Sequence, residues 1–167
     1  MQSNDVRLIE QIHSAFPNEP IESDGAFGKA GTTYPDATPY MKQIAGKSWA
    51  QLDREYIVRR SDALGFLTSR HLIAVLPVYL CALVEDGVWS PAVGMLMLIL
   101  TRPVRGKHTG LGRAGFGALV ETLTDEQRTA VACVLRAFSE KDPDGSLGKA
   151  ARAALEDYWT TYLPAGE

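Results

Sequence analysis

Two apolar runs in the middle of the chain limit the folds that are open to it. The first covers residues 72–84 and the second covers residues 93–100, with Glu85 and Asp86 between them. Each run is shorter than the roughly 18 to 20 residues that a helix needs to cross a bilayer. Both are therefore predicted to be core helices of a globular protein, and no membrane partner is predicted.

Length and composition predict a single domain that spans residues 1–167. The chain is 46 % hydrophobic and 22 % charged, with a formal net charge of −3. A chain of this length buries about 70% of the surface that it exposes when unfolded, which is enough for a core without disulfides or structural metals. A small negative net charge opposes broad contact with phosphates, so no nucleic-acid partner is predicted.

The two cysteines and the N-terminus indicate a reducing compartment. Cys81 and Cys133 lie inside apolar segments rather than in a spaced framework, which is typical of free thiols. Residues 1–5 contain no basic stretch followed by an apolar one, so no secretory signal is predicted there. The expected location is therefore the cytoplasm.

Helix-start signals recur along the chain and predict an all-α fold, a single compact multi-helix domain. Residues 48–51 and 124–127 carry capping-box patterns, in which a Ser or Thr is followed three residues later by Gln. Ser90 before Pro91 is a further start, and the apolar run after it predicts a short helix that is buried on every face. Other predicted helices start at Ser3 or Asn4, at Thr68, and after a turn at residues 142–146.

Two residues inside these helices are expected to be unusual. Pro77 must kink the long apolar helix or begin a new one, because its ring clashes with the carbonyl of Ile73. Cys133 falls with Arg136 on the polar face of the helix that starts at Thr124, which predicts an accessible thiol.

Glycine and proline interrupt the chain in two places. Residues 17–46 contain four prolines and four glycines, and residues 102–115 contain one proline and four glycines. Both segments are predicted to be long loops. Residues 25–33 have a superficial likeness to a phosphate loop, but Ala30 stands where Ser or Thr should follow Lys29, so no nucleotide site is predicted.

Four short motifs follow one another between Trp49 and Trp159. They are Trp49-x-x-Leu52; Phe66-Leu67-Thr68 followed by Leu76-Pro77; Leu123-Thr124-x-x-Gln127-Arg128-x-x-Val131-x-x-x-Leu135; and Ala151-x-x-Ala154-Leu155-x-x-Tyr158-Trp159. In this order they resemble a family of uncharacterised small bacterial proteins, a domain of unknown function. The resemblance implies an all-helical bacterial protein, and it assigns no catalytic, ligand or cofactor residues.

Residue patterns typical of catalysis or metal binding do not occur in the sequence. His13, His71 and His108 are far apart, and none is followed by a His or Cys three or four residues later. There is no Gly-x-Ser-x-Gly motif, and the adjacent carboxylates at 85–86 and 156–157 fall at helix surfaces or ends. The sequence therefore predicts no catalytic residue, no metal and no cofactor, and it favours a non-enzymatic role.

Charge is unevenly distributed along the chain. No acidic residue occurs from residue 87 to residue 120, whereas cations collect in the second glycine-rich segment. Cations on such a segment attract acidic surfaces and steer association, although they can also neutralise the protein's own acids. The candidate partner-binding residues are Arg102, Arg105, Lys107, His108 and Arg113.

Three hypotheses of function follow from these patterns. The leading one is a cytoplasmic protein-binding protein, in particular an immunity protein that neutralises a partner toxin by covering its active site. The second is an enzyme or small-ligand-binding protein with a composite pocket. The third is a structural or oligomerisation module, for which an exposed apolar patch is expected. The composite pocket of the second hypothesis would be lined by Trp49, Tyr56, Arg59, Arg60 and His71.

Overall fold

The computed structural model describes residues 3–27, 35–103 and 112–165, and these segments form an all-α fold. They contain α1 (Ser3–Ala15), α2 (Ala37–Ile44), α3 (Arg54–Arg59), α4 (Ser69–Asp86), α5 (Val93–Leu100), α6 (Gly112–Thr122), α7 (Asp125–Lys141) and α8 (Ser146–Asp157). Short 3₁₀ turns cover Trp49–Gln51, Ser61–Gly65, Gly87–Trp89 and Trp159–Tyr162. No β-strand occurs in the described ranges, where isolated bridges join Ile21 to Ala45 and Phe27 to Leu67.

The central helix of the core is α4, which packs against α1, α3, α6 and α7. It runs through Pro77 as one helix, so no new helix begins at that residue. The stretch Ser69–Trp89 is long and apolar enough to pass as a membrane span, and 56% of it is buried in the fold. Buried core helices of globular proteins share this length and composition. All eight described helices contribute side chains to one hydrophobic cluster around α4.

The capping box at Thr124 is confirmed. The Thr124 hydroxyl accepts from the Gln127 backbone N–H over 3.3 Å, and the Gln127 side-chain oxygen accepts from the Thr124 N–H over 3.0 Å. The predicted capping box at Ser48 also forms, and the Gln51 side-chain oxygen accepts from the Ser48 N–H over 3.0 Å. It starts only a 3₁₀ turn and not the predicted helix, because Leu52 takes an extended conformation after it. The helix that follows, α3, is capped by Asp53, whose carboxylate accepts from the Tyr56 N–H over 3.1 Å.

The predicted start of α5 was too early, and its predicted burial on every face was wrong. Ser90 and Pro91 lie in a turn before the helix, and the Ser90 carbonyl oxygen accepts from the Val93 N–H over 3.1 Å. Along α5 itself, Gly94 and Leu98 are exposed to solvent. The run is apolar on every face, but its neighbours cover only part of it.

The segment 17–46 is not a continuous loop, because α2 forms inside it and buries Tyr40 and Ile44. Pro39 lies in the first turn of α2, where a missing N–H costs no hydrogen bond within the helix. The preceding chain is also held in place, since the Ile21 N–H donates to Lys47 over 2.9 Å and Ile21 accepts from Gly46 over 2.8 Å. Residues 28–34 of this segment lie outside the described residues.

The second predicted loop, 102–115, was also too long. Helix α6 begins at Gly112, so the last four residues of the segment are helical. Residues 104–111 lie outside the described residues.

The prediction of an accessible thiol at Cys133 was wrong. It is buried, because α1 packs on the side of α7 that the sequence pattern marks as polar. The Gln11 side-chain amide donates to the Cys133 sulfur over 3.7 Å. Both cysteines are free and buried.

Candidate functional site

The three tryptophans of the chain differ sharply in exposure. Trp49 and Trp159 are buried, whereas the Trp89 side chain is 87% exposed, far above the other large apolar side chains at the described surface. Tryptophan has the largest side chain, and it is usually well buried. An indole that is exposed to water is typical of a binding surface. Trp89 is therefore the first candidate for a functional residue.

The corner between α4 and α5 holds Trp89 outward. Gly87 ends α4 with a φ of 57°, a left-handed conformation that favours glycine. The 3₁₀ turn then brings Ser90 into the interior, while Val88 and Trp89 remain exposed. No sequence pattern singled out Trp89, although it lies between two apolar runs.

Apolar exposure continues from this corner along α5. Gly94 and Leu98 are four residues apart, hence on one side of the helix, and both are exposed. Pro91 is exposed in the turn before the helix. We call this set, which carries no charge, the Trp89 surface: Val88, Trp89, Pro91, Gly94 and Leu98.

A cleft of about 350 Å³ adjoins the Trp89 surface at Pro91. Its charged walls are already paired: Arg54 binds Glu85 and Asp86, and Arg59 lies 2.7 Å from Glu55. The cleft therefore adds a concave surface next to the Trp89 surface, and neither arginine contributes an unpaired charge to it. Its lining residues are Arg54, Glu55, Val58, Arg59, Asp86 and Pro91.

Of the predicted partner-binding residues, Arg102 is the one whose side chain is described. It is exposed just after α5, and its positive charge acts to lower the pKa of Tyr158. Arg105, Lys107 and His108 lie outside the described residues, and Arg113 lies in α6 with its side chain also outside them. The structure thus places the start of the basic segment at the end of α5 that is opposite Trp89.

An aromatic cluster lies where α6 packs against the end of α8, close to the two ends of the basic segment. The Tyr158 ring is 5.3 Å from Phe116 of α6 and 5.0 Å from Trp159, and its hydroxyl is 3.2 Å from that of Tyr162. Burial raises the pKa of Tyr158 to about 12, helped by Tyr162 and opposed by the charges of Arg128 and Arg102. Tyr158 is therefore a neutral hydroxyl at neutral pH.

The predicted composite pocket is only partly assembled. Trp49 and His71 line one cavity, but Tyr56, Arg59 and Arg60 do not line it. Arg60 binds Asp36 and lies 5.6 Å from the Tyr56 ring, while Arg59 pairs with Glu55. Tyr56, Arg59 and Arg60 lie on or directly after α3, and the structure does not bring them to this cavity.

The cavity that Trp49 and His71 do share has a volume of about 200 Å³. It lies between the chain that follows α1 and the N-terminal half of α4, and its walls combine apolar and polar side chains. The lining residues are Phe16, Pro17, Glu19, Pro20, Ile21, Glu22, Trp49, Arg70, His71, Ile73, Ala74, Pro77 and Gln127.

His71 forms a closed part of the cavity wall. One ring nitrogen, Nε2, lies 3.1 Å from the Glu22 carbonyl oxygen, and the other, Nδ1, lies 2.7 Å from the Thr68 hydroxyl. A carbonyl only accepts, so Nε2 carries the proton and Nδ1 accepts from Thr68. Desolvation lowers the pKa of His71, which keeps the ring neutral. Both nitrogens are engaged, so His71 is not positioned as a general base.

Gln127 contributes a free polar group to the same cavity. Its side-chain oxygen is held by the Thr124 backbone N–H, which fixes the orientation of the amide. Gln127 is only 5% exposed, and no described residue accepts a hydrogen bond from its amide nitrogen. Buried donors normally have partners, so this one is a candidate ligand contact.

Metal ligands are not clustered in the part of the chain that the structure describes, where no group of three or more His, Cys, Asp or Glu side chains could hold an ion. His13 is exposed, with its ring 4.6 Å from the Trp49 ring.

No protein-family model, curated protein or solved structure matches this chain. The resemblance to uncharacterised bacterial proteins therefore stays a prediction.

Proposed function

We propose that this protein is a non-enzymatic binding protein whose Trp89 surface docks onto a folded partner protein. The observation that carries the proposal is the 87% exposure of Trp89. An oligomerisation module is also expected to expose an apolar patch, and the crosslinking experiment below distinguishes the two. An indole buries about 200 Å² at an interface. At about 25 cal/mol per Å² this is roughly 5 kcal/mol of gross stabilisation before the costs of association. Tryptophan is accordingly enriched among the few residues that dominate interface energies.

The charge of the surrounding chain favours a partner with an acidic surface. No acidic residue occurs between residues 87 and 120, and Arg102 is exposed at the end of α5. Arg102 lies at the far end of α5 from Trp89, where a cation accelerates encounter with an acidic partner and orients it across the helix. We therefore expect a partner that presents carboxylates next to an apolar pocket for Trp89.

Within this class we propose the role of an immunity protein, acting in the cytoplasm of a bacterial cell and covering the active site of a partner toxin. Two features support it. One aromatic anchor on a helical scaffold suits a tight one-to-one complex, and two free buried thiols suit a reducing compartment. Cells that express the partner should survive when this chain is co-expressed, and they should stop growing when the chain carries Trp89→Ala.

Site-specific photo-crosslinking tests the docking proposal in the source cell. A benzoylphenylalanine residue replaces Trp89 in one variant and Val6 in the control, because Val6 is a partly exposed apolar residue of α1 outside the Trp89 surface. We expect one protein to crosslink at position 89 and not at position 6, and to form a one-to-one complex with the purified chain. Crosslinks that are equal at the two positions contradict the proposal.

Self-association is the outcome that would favour an oligomerisation module instead. If the position-89 crosslink joins two copies of this chain, and Trp89→Ala converts a dimer into a monomer in sedimentation experiments, the partner is the chain itself. A monomer for both the wild type and Trp89→Ala leaves the Trp89 surface free for another protein.

A further inference from the structure

The cavity lined by Trp49, His71 and Gln127 points to a second binding site, distinct from the Trp89 surface. We propose that it binds a small uncharged molecule with an apolar body and one carbonyl oxygen, which accepts a hydrogen bond from the Gln127 side-chain amide. An aromatic amide or ketone is the chemical class that fits.

Gln127 supplies the polar contact. Its oxygen is used by the Thr124 N–H, and its two amide hydrogens have no acceptor among the described residues. A buried donor without an acceptor is destabilising. A ligand oxygen removes that destabilisation, which makes an acceptor group the preferred occupant at this point of the wall.

The volume and the walls define the rest of the ligand. About 200 Å³ is enough for one substituted ring, since cavities of about 150 Å³ hold benzene. Phe16, Trp49 and Pro77 provide flat apolar surfaces, and the Trp49 indole N–H is already donated to the Phe16 carbonyl over 3.3 Å. The ligand body therefore meets these walls through apolar contact alone.

The charges at the rim disfavour an anionic ligand. Arg70 donates to the Glu22 carboxylate over 2.8 Å, so this cation is already paired. Glu19 adds a second carboxylate to the rim, and neutral His71 adds no positive charge. A negatively charged molecule would meet an uncompensated carboxylate at the entrance.

Nuclear magnetic resonance with four simple probes tests the site in the intact protein. Benzamide carries the ring and the carbonyl, ethylbenzene lacks the carbonyl, benzoate carries a charge, and benzylamine carries the opposite charge. We expect benzamide to give saturable shifts of the Trp49 indole and Gln127 amide signals, with a Kd of about 1 mM or below, as ligands of this size can reach. The Trp89 signal should not move. Binding of the other three probes should be at least about tenfold weaker.

Two variants and a matched control locate the contact. Gln127→Glu keeps a capping-box residue but removes the amide hydrogens, so it should weaken benzamide binding at least about tenfold. Gln51→Glu makes the same change at an exposed residue, the capping-box partner of Ser48, and should have no effect. Ala74→Phe fills the cavity from α4 and leaves the Gln127 amide in the sequence, so it should abolish binding and tests the site if Gln127→Glu fails to fold.

Three results would overturn the proposal: no shift with benzamide, tighter binding of benzoate than of benzamide, or unchanged binding in Ala74→Phe. The Trp89→Ala variant should bind benzamide as the wild type does. Failure of the partner-docking proposal therefore leaves this site untouched, and the reverse holds as well.

Discussion

The Lys141 ammonium lies 2.5 Å from the carboxylate of Asp5, and the two residues are 136 positions apart in the sequence. The same ammonium donates to the Val84 carbonyl oxygen over 3.2 Å. Asp5 is buried in the first turn of α1, Val84 is near the end of α4, and Lys141 ends α7. One cation thus joins three helices of the core.

Removal of the carboxylate charge should destabilise the fold. We expect Asp5→Asn to lower the free energy of unfolding by about 1–2 kcal/mol, because Lys141 loses its charged acceptor but is partly exposed and remains hydrated. Denaturant unfolding measures the change. The matched control is Glu55→Gln, which breaks the exposed pair with Arg59 and should change stability by less than about 0.5 kcal/mol. Equal losses in both variants would contradict the special role of Asp5.

The neutral state of His71 predicts a pH dependence of stability. Burial lowers the pKa of His71 below 6.5 in the folded protein, so the unfolded chain binds the extra proton more readily. The contribution of this residue to stability should be complete above pH 6.5 and should be lost as the pH falls through the folded pKa. Urea unfolding between pH 5 and pH 8 measures the slope.

Two histidine variants separate this effect from other titrations. In His71→Gln the slope below pH 6.5 should be shallower than in the wild type, whereas His13→Gln, at an exposed position, should keep the wild-type slope. A wild-type slope in His71→Gln would show that other groups cause the loss of stability below pH 6.5.

Both thiols should be protected in the folded protein. Burial raises the pKa of Cys81 to about 11, so only about 0.1% of it is thiolate at pH 8. Cys133 is buried under α1. We expect Cys81→Ala and Cys133→Ala, each with one remaining thiol, to react with Ellman's reagent at least about tenfold more slowly when native than in denaturant. A native thiol that reacts at the denatured rate would place that cysteine at the surface.

The hydroxyl chain that anchors α2 gives a direct test of the helix inside segment 17–46. Tyr79 donates to the Ile57 carbonyl oxygen over 2.9 Å, and the Tyr40 hydroxyl is 3.2 Å from that of Tyr79. Tyr79→Phe removes both contacts in the interior and should lower the free energy of unfolding by about 1–3 kcal/mol. Tyr56→Phe, at a half-buried position on α3, should change it little. Equal stability of the two variants would mean that α2 is not held by these hydroxyls.

Local signals in the sequence predicted part of this fold. The Thr124 capping box was correct because its hydrogen bonds join residues three apart. Helix α2 was missed because proline and glycine outweighed the apolar pair Tyr40 and Ile44, although Pro39 is harmless in a first turn. The start of α5 was placed at Ser90 because a turn and a helix start share the Ser-Pro signal.

The candidate sites depend on contacts that a sequence pattern does not contain. His71 joins the Glu22 carbonyl, 49 positions away, so its role in a cavity wall could not be predicted from neighbours. The Trp89 surface is exposed because other helices leave one side of α5 uncovered, which only tertiary packing decides. Trp49 lines a cavity that Arg59 does not reach, since position along the chain does not fix which elements a helix packs against.

The affinity of the purified chain for the protein that crosslinks at position 89 is the most direct test of the docking surface. Isothermal titration of the wild type, Trp89→Ala and Val6→Ala against that protein gives three dissociation constants. We predict that Trp89→Ala raises Kd at least about tenfold, which corresponds to about 1.4 kcal/mol, while Val6→Ala leaves it unchanged. Dissociation constants that agree within about twofold for all three proteins would contradict the account.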